Sequence, residues 1–365
     1  MSSFIMSSRN DNIPPLPEDY LSRHYKVGLF NALTDVAGVC VGHVTVYEGD
    51  DIRTGATAIL PHSGNIFQNK VPAGFSVFNG YGKFVGSVQV EELGELETPI
   101  LLTNTLATGR AIEALIEYTL QGEGNGNATS INSVVGETND SRLNNIRLHR
   151  PTVNEMLEAL ANAKPGPFDE GCVGAGTGTV AFGLKGGIGT SSRLVDIFDK
   201  TYTIGLLVQS NFGGRLSILP KTVPDFNADE ILPNCWEEKT DKDGSIMMIV
   251  ATDAPLCSRQ LKRLANRTVG GLALSGAALS NGSGDFALAF STAKELRTGG
   301  ENSSRIKNMP HLPDSALSPM FEAVIEATEE SILRSLWMAH DTNGINAKTM
   351  EPSRFLSLRT LIGQN

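Results

Sequence analysis
The apolar positions of this chain fall into short, strand-length runs broken by glycine, and one of those runs begins at a serine. Asp243-Gly244-Ser245-Ile246-Met247-Met248-Ile249-Val250-Ala251-Thr252-Asp253 passes from a polar stretch into an unbroken apolar segment. A run rich in Ile, Met and Val and closed by Thr-Asp predicts a strand buried on both faces. Strand-like stretches also run over Val39–Val46, broken by Gly42, and over Gly55–Pro61, Phe75–Gly80, Pro99–Thr105, Ile131–Val135, Thr203–Gln209 and Phe286–Ser291. Helical spacing appears at Ile112, Leu115, Ile116 and Leu120, with Gly122 as a stop. It appears again at Val153, Met156, Leu157 and Leu160 after Pro151, and at Leu261, Leu264 and Ala265, where Arg259, Lys262, Arg263 and Arg267 read as a solvated face. A last long helix is predicted from Ser318-Pro319, with Phe321, Val324, Ile325, Ile332, Leu333, Leu336 and Trp337 on one broad packing stripe.

Strands mixed with helices in this way indicate an α/β protein. With 365 residues there is ample material for a core, in one large domain or two small ones. The net charge of −10 argues against a nucleic-acid partner, because neutralising phosphates takes Lys and Arg. No segment approaches the ~20 apolar residues of a membrane span. Met1 to Pro17 is polar and proline-containing, without the apolar core of a secretory signal. It reads as a disordered arm or one draped over a neighbouring subunit, and the expected location is cytoplasmic. Cys40, Cys172, Cys235 and Cys257 show no CxxC spacing and are read as buried or free thiols of a reducing compartment. The six histidines form no HExxH-type group, so neither a metal nor another cofactor is expected. The glycine-dense segment 171–193 lacks a Walker Lys-Ser/Thr ending and a following helix pattern; tight β turns against a second layer account for it better than a nucleotide site. Between Pro224 and Gly244 seven acidic residues face two lysines, as in a solvated linker leading to Ser245.

Gly-Ser ahead of a strand is usually only a loop end. It has a second reading when the loop is cut between Gly244 and Ser245. Ser245 then carries a free α-amine and a hydroxyl on one residue, so nucleophile and base coincide. Further along, Asn281-Gly282-Ser283-Gly284-Asp285 reads either as an Asn-Gly turn or as a polar pair. Ser283 and Asp285 are two apart, so on an extended backbone they share a face.

With these two segments in view, the chain resembles the self-processing aminopeptidases related to the L-aminopeptidase/D-esterase DmpA and the bacterial β-aminopeptidases. The likeness covers nearly the whole chain. It includes Asn31-Ala32-Leu33-Thr34-Asp35-Val36, Val41-Gly42-His43-Val44-Thr45, the segment Gly94–Thr105, Gly136-Glu137-Thr138-Asn139-Asp140 and the segment Lys185–Arg193. The resemblance implies an αββα sandwich, two stacked β-sheets between helices, formed by residues 1–365 as a single domain. It implies a precursor that cuts itself into an α chain, 1–244, and a β chain, 245–365, several relatives assembling as tetramers of such units. It assigns Ser245 as nucleophile of both self-cleavage and catalysis, with Ser283 and Asp285 beside it. Asn211 becomes the oxyanion donor, where the plain alternative is a turn asparagine. Glu137 becomes the holder of the substrate amino group, where the alternative is a solvated loop carboxylate. Two positions depart from the family: Asp285 is shorter than the glutamate of β-aminopeptidases, and Arg142 stands where DmpA has a tyrosine. The implied activity is release of N-terminal residues, β-alanine among them, from short peptides, amides or esters. An acyltransferase on the same acyl-enzyme and a non-catalytic binding or scaffold protein are the competing readings.

Overall fold
The computed structural model describes residues 13–21, 23–218, 244–299, 306 and 308–363. The acidic stretch 224–243, most of the N-terminal arm and Cys235 lie outside them. In chain order come β1 (Cys40–Glu48), β2 (Ile52–Leu60), β3 (Val71–Gly80), β4 (Phe84–Val85), helix α1 (Ser87–Leu93), β5 (Glu95–Leu96) and β6 (Ile100–Asn104). Then follow α2 (Thr108–Leu120), β7 (Val134–Thr138), α3 (Val153–Ala161), β8 (Val180–Ala181), β9 (Leu184–Lys185), β10 (Gly187–Ile197) and β11 (Lys200–Asn211). Beyond residue 243 come β12 (Ser245–Thr252), α4 (Ser258–Ala265), α5 (Thr268–Leu274), β13 (Gly284–Ser291), α6 (Ser318–Trp337), the hairpin β14 (Thr342–Asn346) and β15 (Glu351–Phe355), and α7 (Leu358–Leu361).

Two sheets form, one in the order β1-β2-β6-β7-β4 and the other β10-β11-β12-β13-β3-β5. Each contains one parallel pair, β6 with β7 and β12 with β13, and each pair is joined by helices, α2 in the first case and α4 with α5 in the second. Alternation along β12 fixes the layering. Ile246, Met248 and Val250 pack into a core shared with α4, α5 and α6, whereas Met247, Ile249 and Ala251 enter the core between the two sheets. In the first sheet Val134 faces the inter-sheet core and Val135 a third core, built with Ala111, Leu115, Met156 and Leu160 of α2 and α3. Three cores separate four layers, helix, sheet, sheet, helix, and strands buried on both faces lose the polar alternation of a solvated sheet.

Several expectations shift on contact with packing. Gly42 does not break β1; a Cβ there would lie 2.3 Å from the Ala159 carbonyl oxygen, so glycine is what lets α3 rest on the strand. The buried side of α2 is Thr108, Ala111, Ala114, Leu115 and Thr119, with Leu120 exposed, because alanines allow a close approach that the spacing of large apolar residues does not report. Pro151 stands outside α3, which begins after Thr152 in a capping box with Glu155. Ser318 is the first residue of α6 and not its cap. The glycine-dense segment contains the short 3₁₀ turn Gly174–Gly176 and the β8–β9 hairpin, but from Gly187 onward it is an eleven-residue strand. Cys40 and Cys172 are buried free thiols and Cys257 is partly exposed and free.

Helix α6 carries more than a packing stripe. Arg193 of β10, fully buried, donates to Glu326 and, at 2.7 Å, to Glu330. Arg23 and Asn31 also bond Glu330, and Arg334 pairs with Glu170, which accepts as well from the Thr190 N–H at 2.9 Å. Burial pushes the Glu330 carboxyl up, but Arg23, Arg193 and Arg334 outweigh it and hold the group below the usual carboxylate range. Asn31 Oδ1 in turn accepts from the Ser192 N–H at 2.9 Å, so two of the family-like segments, around Asn31 and around Arg193, are partners in one buried network.

Candidate active site
Most of the candidate residues come from strand ends that meet in the middle of the second sheet. β12 runs parallel to β13 and antiparallel to β11, so the first residue of β12, the first of β13 and the last of β11 converge. In the ladder Ser245 stands between Asn211 and Gly284. Asn211 is therefore the closing residue of β11 and not a turn residue after it. The position ahead of Ser245 requires glycine, since a Cβ on Gly244 would lie 2.3 Å from the Asn211 carbonyl oxygen and 2.5 Å from Phe212 Cα. The Gly244 carbonyl oxygen accepts a hydrogen bond from the Gly284 N–H at 3.0 Å.

Ser283 and Asp285 flank Gly284, and both are buried. The Ser283 hydroxyl donates to Asp285 Oδ1 at 2.7 Å, while Oδ2 is buried with no hydrogen-bond partner among the described residues. Burial pushes the Asp285 carboxyl up to about 6, the Ser283 hydroxyl only partly offsetting it. The β13–β3 register shifts between Asp285 and Phe286, the kind of irregularity that re-aims a side chain at a strand end. The turn before it is pinned by Asn79, whose amide donates to the carbonyl oxygens of Ser280, Asn281 and Ser283.

The Asn211 side chain is fixed at both ends. Its Oδ1 accepts from the Val180 N–H at 3.0 Å and its Nδ2 donates to the Asn139 carbonyl at 3.0 Å. An amide nitrogen has two hydrogens, so one remains to donate elsewhere. Glu137 arrives from the other sheet. It lies inside β7, paired in register with Thr103, and is buried at 3 % exposure, which corrects the alternative of a solvated loop carboxylate. A Cβ on Gly82 would sit 3.4 Å from both Glu137 Oε1 and Gly284 Cα, so the carboxylate approaches the Ser245 neighbourhood across the gap between the sheets.

Residues to which the sequence assigned no catalytic or binding role complete the surroundings. Lys83 donates to Glu137 Oε1 through its backbone N–H at 2.9 Å and through Nζ at 3.2 Å. Asp140, next to the Asn139 that holds Asn211, is buried and pushed up to about 7, chiefly by loss of water. The fully buried Lys185 ammonium donates to the carbonyls of Gly176, Thr179 and Gly186, each at 2.9 Å. Arg142 is half-buried in the turn after Asp140. Among the described residues no group of three or more His, Cys, Asp or Glu is placed to hold a metal ion, and no helix is long and apolar enough to cross a membrane.

A family model, Peptidase family S58, matches residues 31–350. The chain belongs to this family. It is a hydrolase, an aminopeptidase, and its fold is of the N-terminal-nucleophile hydrolase type. This S58 peptidase is 38 % identical over 357 residues to the β-peptidyl aminopeptidase BapA of Sphingosinicella microcystinivorans, covering 92 % of this chain and 89 % of that one. Among solved structures, a protein of Pyrococcus horikoshii OT3 aligns with TM-score 0.83 and 44 % identity over 94 % of this chain and 96 % of its own. The L-aminopeptidase D-Ala-esterase/amidase of Ochrobactrum anthropi, described as a prototype of the serine aminopeptidases and a new variant of the Ntn-hydrolase fold, aligns with TM-score 0.81. Its identity is 32 %, over 94 % of this chain and 96 % of its own.

Proposed function
We propose that this S58 peptidase is a self-processing serine aminopeptidase that works through an acyl-enzyme on Ser245. The observation that carries the reading is the position of Ser245. It opens a central strand, between Asn211 and the Ser283–Asp285 pair, with the preceding carbonyl oxygen held by a backbone N–H. In the precursor, Ser245 Oγ adds to the Gly244 carbonyl carbon. The Gly244–Ser245 C–N bond breaks as the acyl group moves to oxygen. Water then hydrolyses that ester, leaving a carboxylate on Gly244 and a free amine on Ser245. The Gly284 N–H stabilises the oxyanion of this first step. The products are chains 1–244 and 245–365, which remain in one folded domain; units of this kind assemble as tetramers, which sedimentation tests.

In turnover the new amine takes the Oγ proton as Ser245 adds to the substrate carbonyl. An α-amine titrates near ~7.7–8.0, so a working fraction is unprotonated at neutral pH. Asn211 donates its second amide hydrogen to the oxyanion. The leaving amine departs with the proton, and water attacks the ester to release the acid. The Asp285 carboxylate, through Ser283 and its unpartnered oxygen, orients the hydroxyl and balances the ammonium form of Ser245. Glu137 receives the substrate's own ammonium, which limits the enzyme to chain N-termini. β-Amino residues such as β-alanine are within its range, as the Sphingosinicella relative is a β-peptidyl aminopeptidase. N-terminal sequencing of the smaller fragment tests the reading: it starts at Ser245 in the wild type, and Ser245→Ala yields one intact, inactive chain. A Ser245→Ala protein that is cut and active refutes it.

A further inference from the structure
The carboxylate assigned to the substrate amine is already engaged by a cation. Lys83 Nζ sits 3.2 Å from Glu137 Oε1, and its second anchor is the Thr105 hydroxyl at 2.6 Å. The lysine side chain is about half exposed while that of Glu137 is buried, so the ammonium lies on the solvent side of the carboxylate. Both Lys83 bonds take Oε1, which leaves Oε2 as the oxygen without a described donor.

This arrangement penalises a substrate whose head is only an ammonium. Such a head brings a second cation against Lys83 while competing for its counter-ion Glu137, and like charges at close range repel. A head that carries both an ammonium and a carboxylate has no such conflict. Its ammonium meets Glu137, its carboxylate meets Lys83, and four charges alternate in sign.

We infer that the aminoacyl pocket reads a zwitterionic head, and that peptides linked through the side-chain carboxyl of aspartate, β-aspartyl peptides, are its substrate class. The inference rests on the proposed role of Glu137. In a β-aspartyl amide the amine stands β to the scissile carbonyl, as in β-alanine, and the same carbon bears a free carboxylate. The two heads differ only in the group that Lys83 would bind. Water adds across the β-amide bond, and the products are free aspartate and the amine.

The test uses three chromogenic anilides on the processed wild-type enzyme: β-aspartyl with a free α-carboxylate, its α-methyl ester, and β-alanyl. A charge-assisted hydrogen bond predicts a kcat/KM preference of about tenfold or more for the free carboxylate over β-alanyl. The preference shrinks as salt rises and vanishes in the methyl ester. In Lys83→Met the β-aspartyl to β-alanyl ratio falls to about one, and in Lys83→Arg it is largely kept; two bands on a denaturing gel show that each variant has folded and processed. Turnover of β-alanyl anilide with no preference for β-aspartyl overturns this inference and leaves the aminopeptidase reading standing. A preference that survives Lys83→Met also overturns it. A processed enzyme that cleaves none of the three anilides overturns both.

Discussion

In a chain held uncut by Ser245→Ala, stability should depend on pH through Asp285. Its carboxyl is pushed from 3.8 up to about 6 by burial, and only the Ser283 hydroxyl opposes the shift. A displacement of about two units corresponds to roughly 3 kcal/mol between the protonated and ionised forms. The sign follows from proton binding. A carboxyl whose pKa is higher in the native state holds its proton more tightly there than in the unfolded chain. Stability therefore falls as pH rises from about 4 to about 6 and stays lower above that window. Other buried carboxyls also titrate, Asp140 near 7 and Glu170 raised by burial, so a single pH curve does not isolate Asp285. Comparing Ser245→Ala with Ser245→Ala/Asp285→Asn does, because those groups cancel. Urea unfolding of both proteins between pH 4 and 7.5 should show their stability difference moving by about 2–3 kcal/mol in favour of the asparagine variant as pH rises. A difference that stays constant across this range refutes the claim that the site holds an uncompensated carboxylate before cleavage. Scission would supply the missing partner as an ammonium on Ser245, which would bring the Asp285 carboxyl below 6 in the processed enzyme, while the acidic limb of kcat/KM should follow the Ser245 amine, at ~7.7–8.0 or above.

Gly244→Ala should slow or stop processing, because its methyl group has backbone atoms at 2.3 and 2.5 Å to displace; the fraction of uncut chain on a denaturing gel over time measures this. Asn211→Ala should lower kcat by about a hundredfold to a thousandfold with little change in KM, the expected cost of removing one oxyanion donor, in a protein whose circular dichroism is unchanged. Glu330→Ala should destabilise the protein by about 3–5 kcal/mol in urea, since it strands part of the charge of the fully buried Arg193. Glu137→Ala should raise KM for amino-terminal substrates far more than it lowers kcat, as read in a steady-state assay with an aminoacyl anilide.

What the sequence revealed, and what it hid, separates along a physical line. β12 was legible because eight consecutive buried residues leave an unmistakable apolar run. The Ser283–Asp285 pair was legible because strand geometry acts at short range. The turn alternative for Asn211 arose because the apolar signal stops at Val208, while the strand continues through Gln209 and Ser210, whose side chains are buried and hydrogen-bonded. The solvated alternative for Glu137 arose for a different reason: its burial comes from the second sheet, and a one-dimensional pattern contains no partner sheet. Lys83 and the acidic inner face of α6 were invisible for the same cause. Glu326, Glu329 and Glu330 lie outside the predicted apolar stripe, yet all three are buried, Glu326 and Glu330 against arginines from elsewhere in the chain.

The placement of the candidate cut explains how such a protein would survive it. A break inside a strand would free ladder bonds on both sides. A break immediately before β12 puts at stake the bond from the Gly284 N–H to the Gly244 carbonyl, while the residue pairing with β11 and with β13 begins at Ser245 itself. The strand is central in its sheet and its side chains anchor two cores at once, so the new terminus would be held by eight paired residues on each flank. The parallel pairing with β13 is the decisive choice. Had the two strands run antiparallel, Asp285 would lie at the far end of the sheet from Ser245. Running parallel through the α4–α5 crossover, they start together, and the Asp285 carboxylate, whose Oδ2 has no hydrogen-bond partner among the described residues, stands beside the residue on which scission would create a positive charge.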